Sequence, residues 1–474
     1  MNLIFIILNS IFIIINSIKG DNFKDNEQIK YLEFPFDRNL TINTSMSSRE
    51  TFKSLFYNQI YIRIKVGSQQ IEIPFYLYLQ QYSFIIQSSE VSKDQVKGLY
   101  NENKSQTYKS SQQIESFIVM DMSEAFLSED IFYFNKDKDK VNLNFYLSKE
   151  NHDNTHITEG GKIGFKFEPE SSQSEEAFFI TKLKYRKIIS ELVFTFRYDS
   201  IKDDDDKGKL IIGAPLHMID NHIYNETFLV NDNAAKIYSK IEWALNFIQI
   251  KSGNNIIDTN CNAFLYIEIG YIIGSKNYFE YLLSLVSWKE YFSSNKCHET
   301  KFNIDDFERN DVSSKLGDVY TIYYCDKDVD VTKINIGELS FTNKEMVYSF
   351  NFSKEELWSE KNGYKYFKII KHDYYNEYWY LGKPFFKKYQ MVFDYDNKKI
   401  GFYTKILNDN KSDDGSPSNN LIIYILVIVG LIIIIAGLVF IIVKNYKKFT
   451  KRKRANELID DNYDYESKES NVVN

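Results

Sequence analysis

Residues 379–402 read Trp379-Tyr-Leu-Gly-Lys-Pro-Phe-Phe-Lys-Lys-Tyr389-Gln-Met-Val-Phe-Asp-Tyr-Asp-Asn-Lys-Lys-Ile-Gly-Phe402, and this stretch decides the fold. In order, it holds a Leu-Gly step ending at Gly382, an aromatic pair, a tyrosine, a Val-Phe-Asp strand candidate and an Ile-Gly-Phe strand candidate. The order and spacing of these landmarks are more specific than those of any other stretch in the chain.

Segments rich in β-branched and aromatic residues recur along the chain, separated by short clusters of Asn, Asp, Ser and Gly. This pattern is typical of an all-β protein. Helical runs are predicted to be few, chiefly Asn277–Trp288, where apolar residues recur at three- and four-residue steps. The predicted strands are Gln59–Val66, Ile71–Tyr78, Val141–Leu147, Glu191–Arg197, Lys209–Ile212, Asn246–Ile250 and Val319–Tyr324.

The composition limits the class of protein. The 474 residues are 43% hydrophobic and 26% charged, which excludes a wholly disordered or collagen-like chain. The net charge is −7, from 65 Asp and Glu against 58 Lys and Arg, and this argues against a general nucleic-acid binder. The length allows two or three domains.

The two ends of the chain predict passage through the secretory pathway. Residues 3–16 form an apolar run too short to span a bilayer, so residues 1–20 are interpreted as a signal peptide, with a retained signal anchor as the alternative. Residues 421–443 carry no charge and are long enough for a transmembrane helix. Residues 408–420 are then a short stalk in front of the membrane.

The charges after this apolar segment predict its orientation. Seven Lys and Arg residues lie between Lys444 and Arg454, and such residues stay on the cytoplasmic side. The chain is therefore predicted to be a single-pass type I membrane protein of the secretory pathway or cell surface, with residues 444–474 as its cytoplasmic tail. A polar tail follows the apolar segment, which favours a true span over a GPI signal. Six sequons in the ectodomain are expected glycosylation sites: Asn39, Asn43, Asn103, Asn225, Asn351 and Asn410.

The stretch 379–402 closely resembles the C-terminal signature of pepsin-like aspartic proteases. Further landmarks of that family follow in the family's order, at Tyr61–Gly67, Gly161–Gly164, Leu192–Phe196 and Gly208–Gly213. The resemblance implies an all-β, two-lobed fold with few short helices and a substrate cleft between the lobes. It assigns residues 56–190 to the N-terminal lobe, 191–407 to the C-terminal lobe and 21–55 to an extension or pro-like segment. It also places Gly382 under the active-site loop.

In this family each lobe supplies one Asp-Thr-Gly, and the two carboxylates share a proton and activate a water molecule. In the N-terminal lobe the segment Leu77–Ser89 matches the family pattern, and Tyr78 stands where the aspartate is expected. The chain has no aspartate between Asp37 and Asp94, so no shift of the alignment restores one.

In the C-terminal lobe the segment Cys261–Ser275 matches the corresponding pattern, and Tyr266 stands at the catalytic position. The neighbouring run Ile257–Asn260 offers Asp258 as an alternative aspartate, but aligning on it loses the Cys, Ala and Gly matches. A tyrosine, with an ordinary pKa near 10, cannot act as the base.

The residues around the two tyrosines also depart from the family pattern. Leu79-Gln80 and Ile267-Glu268 are predicted to provide neither the hydrogen bonds nor the close backbone approach of Thr-Gly. The family's flap falls near Ile118 and carries no tyrosine there. Catalytic activity is therefore predicted to be absent.

The resemblance also bears on the three cysteines. Cys325 resembles the first member of the family's C-lobe bridge, its usual partner is missing, and Cys297 is the expected new partner. Three free thiols remain the alternative, and the fate of Cys261 stays open.

No cofactor or metal is expected. His152 and His156 have a spacing that could hold a metal, but they lie in a polar stretch typical of an exposed loop. Three functions are weighed: a pseudo-protease that binds a peptide or protein in its cleft, an active aspartic endopeptidase with an unorthodox dyad such as one using Asp258, and a structural surface glycoprotein.

Overall fold

The computed structural model describes residues 30–38, 48–81, 84–89, 100–115, 125–134, 139–149, 160–166, 178–202, 206–219, 228–233, 236–237, 240–303, 319–343, 348–373, 378–403 and 444. The chain divides into two units, Met1–Asn408 and Asp409–Asn474, and only Lys444 of the second unit is described. Within the described residues no helix has the length and apolar character needed to cross a membrane. The predicted signal peptide, stalk and membrane span lie outside the described residues.

Most of the described residues form strands. Numbered in chain order, these are β1 Leu32–Arg38, β2 Ile60–Val66, β3 Ile71–Tyr78, β4 Phe84–Gln87, β5 Lys109–Glu115, β6 Ala125–Phe134, β7 Asp139–Ser148, β8 Gly161–Gly164, β9 Val193–Tyr198, β10 Gly208–Ile212, β11 Phe228–Asn233, β12 Lys236–Ile237, β13 Lys240–Ile241, β14 Ala244–Ser252, β15 Asn255–Leu265, β16 Ile272–Gly274, β17 Cys297–Asn303, β18 Val319–Asp326, β19 Leu339–Asn343, β20 Ser349–Phe352, β21 Trp358–Lys361, β22 Tyr364–Phe367, β23 Ile369–His372, β24 Trp379–Leu381, β25 Gln390–Asp394 and β26 Lys399–Tyr403.

In the part of the chain that the structure describes, the helices are few and short. They are α1 Ser48–Phe56, α2 Phe179–Tyr185, α3 Leu216–Ile219, α4 Lys276–Ser284, α5 Val286–Ser293 and α6 Lys383–Lys388, with single 3₁₀ turns at Glu102–Lys104 and Val331–Lys333.

Strand β2 shows why these sequences form sheets. Its sequence Ile-Tyr-Ile-Arg-Ile-Lys-Val alternates apolar and polar residues, and successive side chains of a strand point to opposite faces. Ile60, Ile62, Ile64 and Val66 are at most 1% exposed, whereas the residues between them are partly or fully exposed. Burying each such side chain stabilises the fold by about 1.5–3 kcal/mol.

The first of two large sheets has 13 strands among the described residues, in the order β11-β26-β25-β9-β10-β1-β2-β3-β8-β4-β7-β6-β5. An additional pairing of β2 with β6 closes part of it into a barrel-like curl. The late strands β25 and β26 return to this sheet, and β1 from the N-terminal extension lies between β10 and β2.

The second sheet has 11 strands among the described residues. Ten follow the order β20-β19-β14-β15-β24-β16-β23-β18-β22-β21, and β17 pairs with β18. The two curled sheets and the scarcity of helix agree with the all-β, two-lobed expectation.

Trp243, fully buried, packs edge-on against Phe194 and Phe393 and donates from Nε1 to the carbonyl oxygen of Phe165 at 2.6 Å.

The prediction of one continuous helix over Asn277–Trp288 is wrong. The chain forms α4 and α5 instead, separated by Leu285, whose backbone is extended at φ −67° and ψ 129°. This break directs Trp288 into the core, where it is 2% exposed and packs against Tyr323 and Phe367. Burying the Trp288 side chain thus stabilises the fold more than continuing the helix that the apolar spacing predicts.

Cys297 and Cys325 stand opposite each other on β17 and β18 and are joined by a disulfide. Cys261 is a free, half-buried thiol on β15. Burial, followed by the nearby carboxylate of Asp258, raises the pKa of the Cys261 thiol to about 12, so this thiol stays protonated.

Candidate active-site region

Two copies of one strand arrangement hold Tyr78 and Tyr266, the tyrosines that the family resemblance places at the aspartate positions. In the first sheet β3 runs parallel to β8, β8 antiparallel to β4, and β4 parallel to β7. In the second sheet the same relations recur: β15 runs parallel to β24, β24 antiparallel to β16, and β16 parallel to β23. Tyr78 ends β3 opposite Gly164, and Tyr266 follows β15 directly, with its N–H donating to the carbonyl oxygen of Leu381 at 3.0 Å.

The next strand begins six residues after each tyrosine, at Phe84 and at Ile272. The two tyrosines therefore occupy equivalent positions in the two lobes. This equivalence comes from strand pairing alone.

Gly382 lies where the chain passes directly beneath the loop that follows Tyr266. A Cβ atom added there would lie 2.1 Å from the carbonyl oxygen of Tyr271 and 2.4 Å from that of Ile269. The position thus requires glycine for close backbone approach.

Tyr266 is half-buried, and its ring contacts that of Tyr380 edge-on at 5.5 Å between centroids. Burial raises the pKa of the Tyr266 phenol well above its ordinary value, and the carboxyl group of Glu268 raises it further. The phenol is therefore neutral at every physiological pH and cannot remove a proton from water.

Tyr78 lies beside a buried cation. Lys162 is opposite Tyr76 on β8, 8% exposed, and its ammonium group lies 5.6 Å from the centroid of the Tyr78 ring. This distance is within the range of a cation–π interaction. The position thus presents an aromatic ring and an ammonium group rather than a carboxylate.

Hydrogen bonds cross between the two lobes beside the tyrosines. Gln80 donates from Nε2 to the carbonyl oxygens of Trp243 and Leu265, at 3.0 and 2.9 Å. Glu268, at the equivalent position of the other lobe, accepts from the N–H of Leu79 at 3.4 Å. The expectation that Gln80 and Glu268 provide no hydrogen-bonding support is therefore wrong, because their longer side chains cross to the opposite lobe.

Glu268 places a carboxyl group at this junction. Burial raises the pKa of Glu268 from an ordinary 4.5 to about 7, while the N–H groups of Leu79 and Gln80 lower it in part. Near neutral pH the Glu268 carboxyl group is therefore about half protonated.

Asp258, the alternative aspartate, is held in a different set of interactions. Its carboxylate accepts from the Ser275 hydroxyl at 2.5 Å, from the Asn277 amide at 2.6 Å and from the Trp379 indole at 2.8 Å. Ser275 in turn caps the N-terminus of α4 through the N–H of Tyr278. The three bonds make Asp258 a connector between β15, β24 and α4.

Several predicted site residues lie outside the described part of the chain: Ile118, His152, His156, Asn39, Asn43, Asn225 and Asn410. Two sequons are described. Asn103 is exposed in a 3₁₀ turn, whereas Asn351 is half-buried on β20, where its carbonyl oxygen accepts from the Tyr389 hydroxyl and its Oδ1 is buried without a hydrogen bond.

Comparison with known proteins places the chain in a family. The family described as eukaryotic aspartyl protease matches residues 66–405, which cover both arrangements that carry Tyr78 and Tyr266. No curated protein matches the chain. With two curled β-sheets and a match over most of its length, the chain belongs to the eukaryotic aspartyl protease family and is a pepsin-like homologue.

Proposed function

We propose that this pepsin-like homologue has lost peptide-bond cleavage and binds a peptide or protein segment instead. The observation that carries the proposal is the pair of tyrosines at equivalent positions in the two lobes, where the family resemblance places the catalytic aspartates. Neither tyrosine can replace a carboxylate as the base that activates water.

The interactions of Asp258 weigh against an unorthodox dyad. A catalytic carboxylate must be able to contact the attacking water, yet Asp258 already accepts three hydrogen bonds from structural groups. These bonds support a scaffolding role for it.

A set of half-buried aromatic rings beside Tyr266 supports the binding role. Phe264 stacks on Tyr380 at 5.6 Å and meets Tyr378 edge-on at 5.5 Å, while Tyr380 contacts Tyr266. Partly exposed tyrosines are typical contact residues in protein interfaces, since they offer a large apolar area and a polar hydroxyl.

Selection of binding peptides tests the binding role. A random peptide library panned on the full-length chain should yield peptides whose affinity falls at least about tenfold when Tyr380 is replaced by serine. Tyr185→Ser is the matched control, because Tyr185 is 81% exposed on α2. Peptides that bind the Tyr380→Ser chain as tightly as the unmodified chain would contradict the assignment.

We also propose that the chain is a single-pass type I protein of the secretory pathway or cell surface. The apolar segments at 3–16 and 421–443 and the seven basic residues that follow the second support it.

Glycan mapping tests this location. We expect a glycan on the exposed Asn103 and none on Asn351, whose side-chain oxygen is buried. Mass spectrometry of peptides before and after glycosidase treatment checks both sites. An unmodified Asn103 in protein from eukaryotic cells, or a glycan on Asn351, would contradict the expectation.

A further inference from the structure

The two strand arrangements that hold Tyr78 and Tyr266 also carry two equivalent rows of side chains. Each row crosses its sheet through the residue two positions before the tyrosine, and residues paired across neighbouring strands lie side by side on one face. That residue is Tyr76 in the first sheet and Phe264 in the second. The first row runs Tyr61, Tyr76, Lys162, Ile85 and Tyr146, and the second runs Ala244, Phe264, Tyr380, Ile273 and Ile370.

Lys162 is the one charged member of these two rows, all of whose residues the structure describes. It occupies the position that Tyr380 holds in the other lobe, and its neighbours in the row are Tyr76 and Ile85. Lysine is rarely buried beside apolar side chains, because taking an ammonium group out of water is costly. At 8% exposure, Lys162 is therefore a costly feature that the uncharged row of the second sheet does not share.

Lys162 and Tyr380 each adjoin the tyrosine of their own lobe. The Lys162 ammonium group lies 5.6 Å from the centroid of the Tyr78 ring, and the corresponding contact in the other lobe joins Tyr380 to Tyr266 at 5.5 Å. All three tyrosines are half-buried, so each presents part of its ring to solvent. Because the hydrogen bonds of Gln80 tie the lobes together here, a ligand that crosses this junction meets a cation on one side and aromatic rings on the other.

Two further charged groups beside the junction are held within the protein. Lys166 pairs with Glu242 at 3.0 Å, and the Glu268 carboxyl group accepts from the N–H of Leu79. An ammonium group has three N–H donors, so Lys162 can hold a ligand carboxylate in addition to its contact with the Tyr78 ring. In such a poorly solvated place, a charge-assisted hydrogen bond is stronger than on the open surface.

We propose that the junction between the lobes selects an extended segment with a carboxylate side chain against Lys162 and an apolar side chain against Tyr380. The ligand is then an acidic peptide with an apolar residue beside its acidic one, and Lys162 determines the specificity. The inference rests on the proposed binding function and names the chemistry of the ligand for it.

The composition of peptides panned from a random library on the full-length chain tests this selection. The recovered peptides should carry Asp or Glu in excess over the library, next to an apolar residue. The excess should disappear on the Lys162→Met chain, whose first row is then as uncharged as the second; replacing a buried charge by an apolar side chain of similar size is often tolerated. Lys276→Met is the control, because Lys276 is 73% exposed on α4, and this chain should keep the excess.

The outcomes separate the selection from the binding function itself. Peptides recovered without an acidic excess would overturn the selection and leave the binding function standing. Recovery of no peptide by any chain would overturn both.

A recovered acidic peptide and its analogue with the matching amide separate charge recognition from a folding defect. The unmodified chain should bind the acidic peptide at least about tenfold more tightly than the amide peptide. The Lys162→Met chain should bind both peptides equally, and should bind the amide peptide as the unmodified chain does, which shows that the variant is folded. Equal binding of the two peptides by the unmodified chain, or an acidic preference that persists in Lys162→Met, would overturn the proposal.

Discussion

Replacing Asp206 with asparagine is expected to lower the free energy of unfolding by about 3–5 kcal/mol. The Asp206 carboxylate pairs with three largely buried cations, Arg38 at 2.8 Å, Lys387 at 3.0 Å and Lys383. The three cations hold the pKa of Asp206 well below its usual range despite its burial. Without this carboxylate the cations would repel one another in a poorly solvated site.

Urea unfolding of the full-length chain measures this loss, and Glu280→Gln is the control. Glu280 pairs with Lys276 at 3.6 Å on the exposed surface of α4, where such a pair contributes less than about 1 kcal/mol. Because Arg38 also holds Ser54 and Tyr57, loss of Asp206 should loosen α1 as well. A loss for Asp206→Asn as small as that of the control would contradict the role of the cluster.

Glu268 is expected to make the protein more stable in acid than at neutral pH. Its pKa of about 7 in the folded chain exceeds the ordinary 4.5, so the folded chain binds this proton more tightly than the unfolded chain. The stability that Glu268 contributes is therefore fully present below about pH 4.5 and is lost as the pH rises towards 7. Above that pH the free energy of unfolding no longer changes because of Glu268. The total change is at most about 3.5 kcal/mol, since one pKa unit corresponds to about 1.4 kcal/mol.

Glu268→Gln should remove this change of the unfolding free energy with pH. The neutral amide keeps an oxygen that accepts from the N–H of Leu79 but has no proton to release. Free energies of unfolding at several pH values between about 4 and 8 give the difference from the unmodified chain. Glu280→Gln, exposed on α4, should leave the slope as it is. A Glu268→Gln chain with the same pH dependence as the unmodified chain would refute the assignment.

Alternation and turn clusters were sufficient to predict seven of the strands. The segment Ile71–Tyr78 forms β3 with the same bounds, and Gln59–Val66 differs from β2 by one residue. Strand β2 buries one face, which fixes its register, and β3 buries five consecutive residues. The helix over Asn277–Trp288 could not be predicted correctly, because its break depends on where Trp288 finds a buried site against Tyr323 and Phe367. The residues that form this buried site lie on β18 and β22, far from the helix along the chain.

The resemblance to the aspartyl proteases located both tyrosines, because spacing within each motif is local. The hydrogen bonds of Gln80 and Glu268 join residues almost two hundred positions apart, and local spacing carries no record of them. The one available signal was that polar residues with long side chains stand two positions after each tyrosine. The pairing of residues 56–58 with the 266–271 loop was equally invisible, since it depends on how the lobes fold together.

A cleavage assay tests the central claim of lost catalysis most directly. The purified full-length chain is incubated with a mixture of unstructured peptides from about pH 3 to about pH 7, with and without pepstatin, and new termini are counted by mass spectrometry. We expect none, either from the unmodified chain or from the Tyr78→Asp, Tyr266→Asp double variant. The new aspartates would lack the neighbouring Thr and Gly, and a misplacement of about 1 Å can cost about a hundredfold in rate. Pepstatin-sensitive cleavage by the unmodified chain would contradict the account.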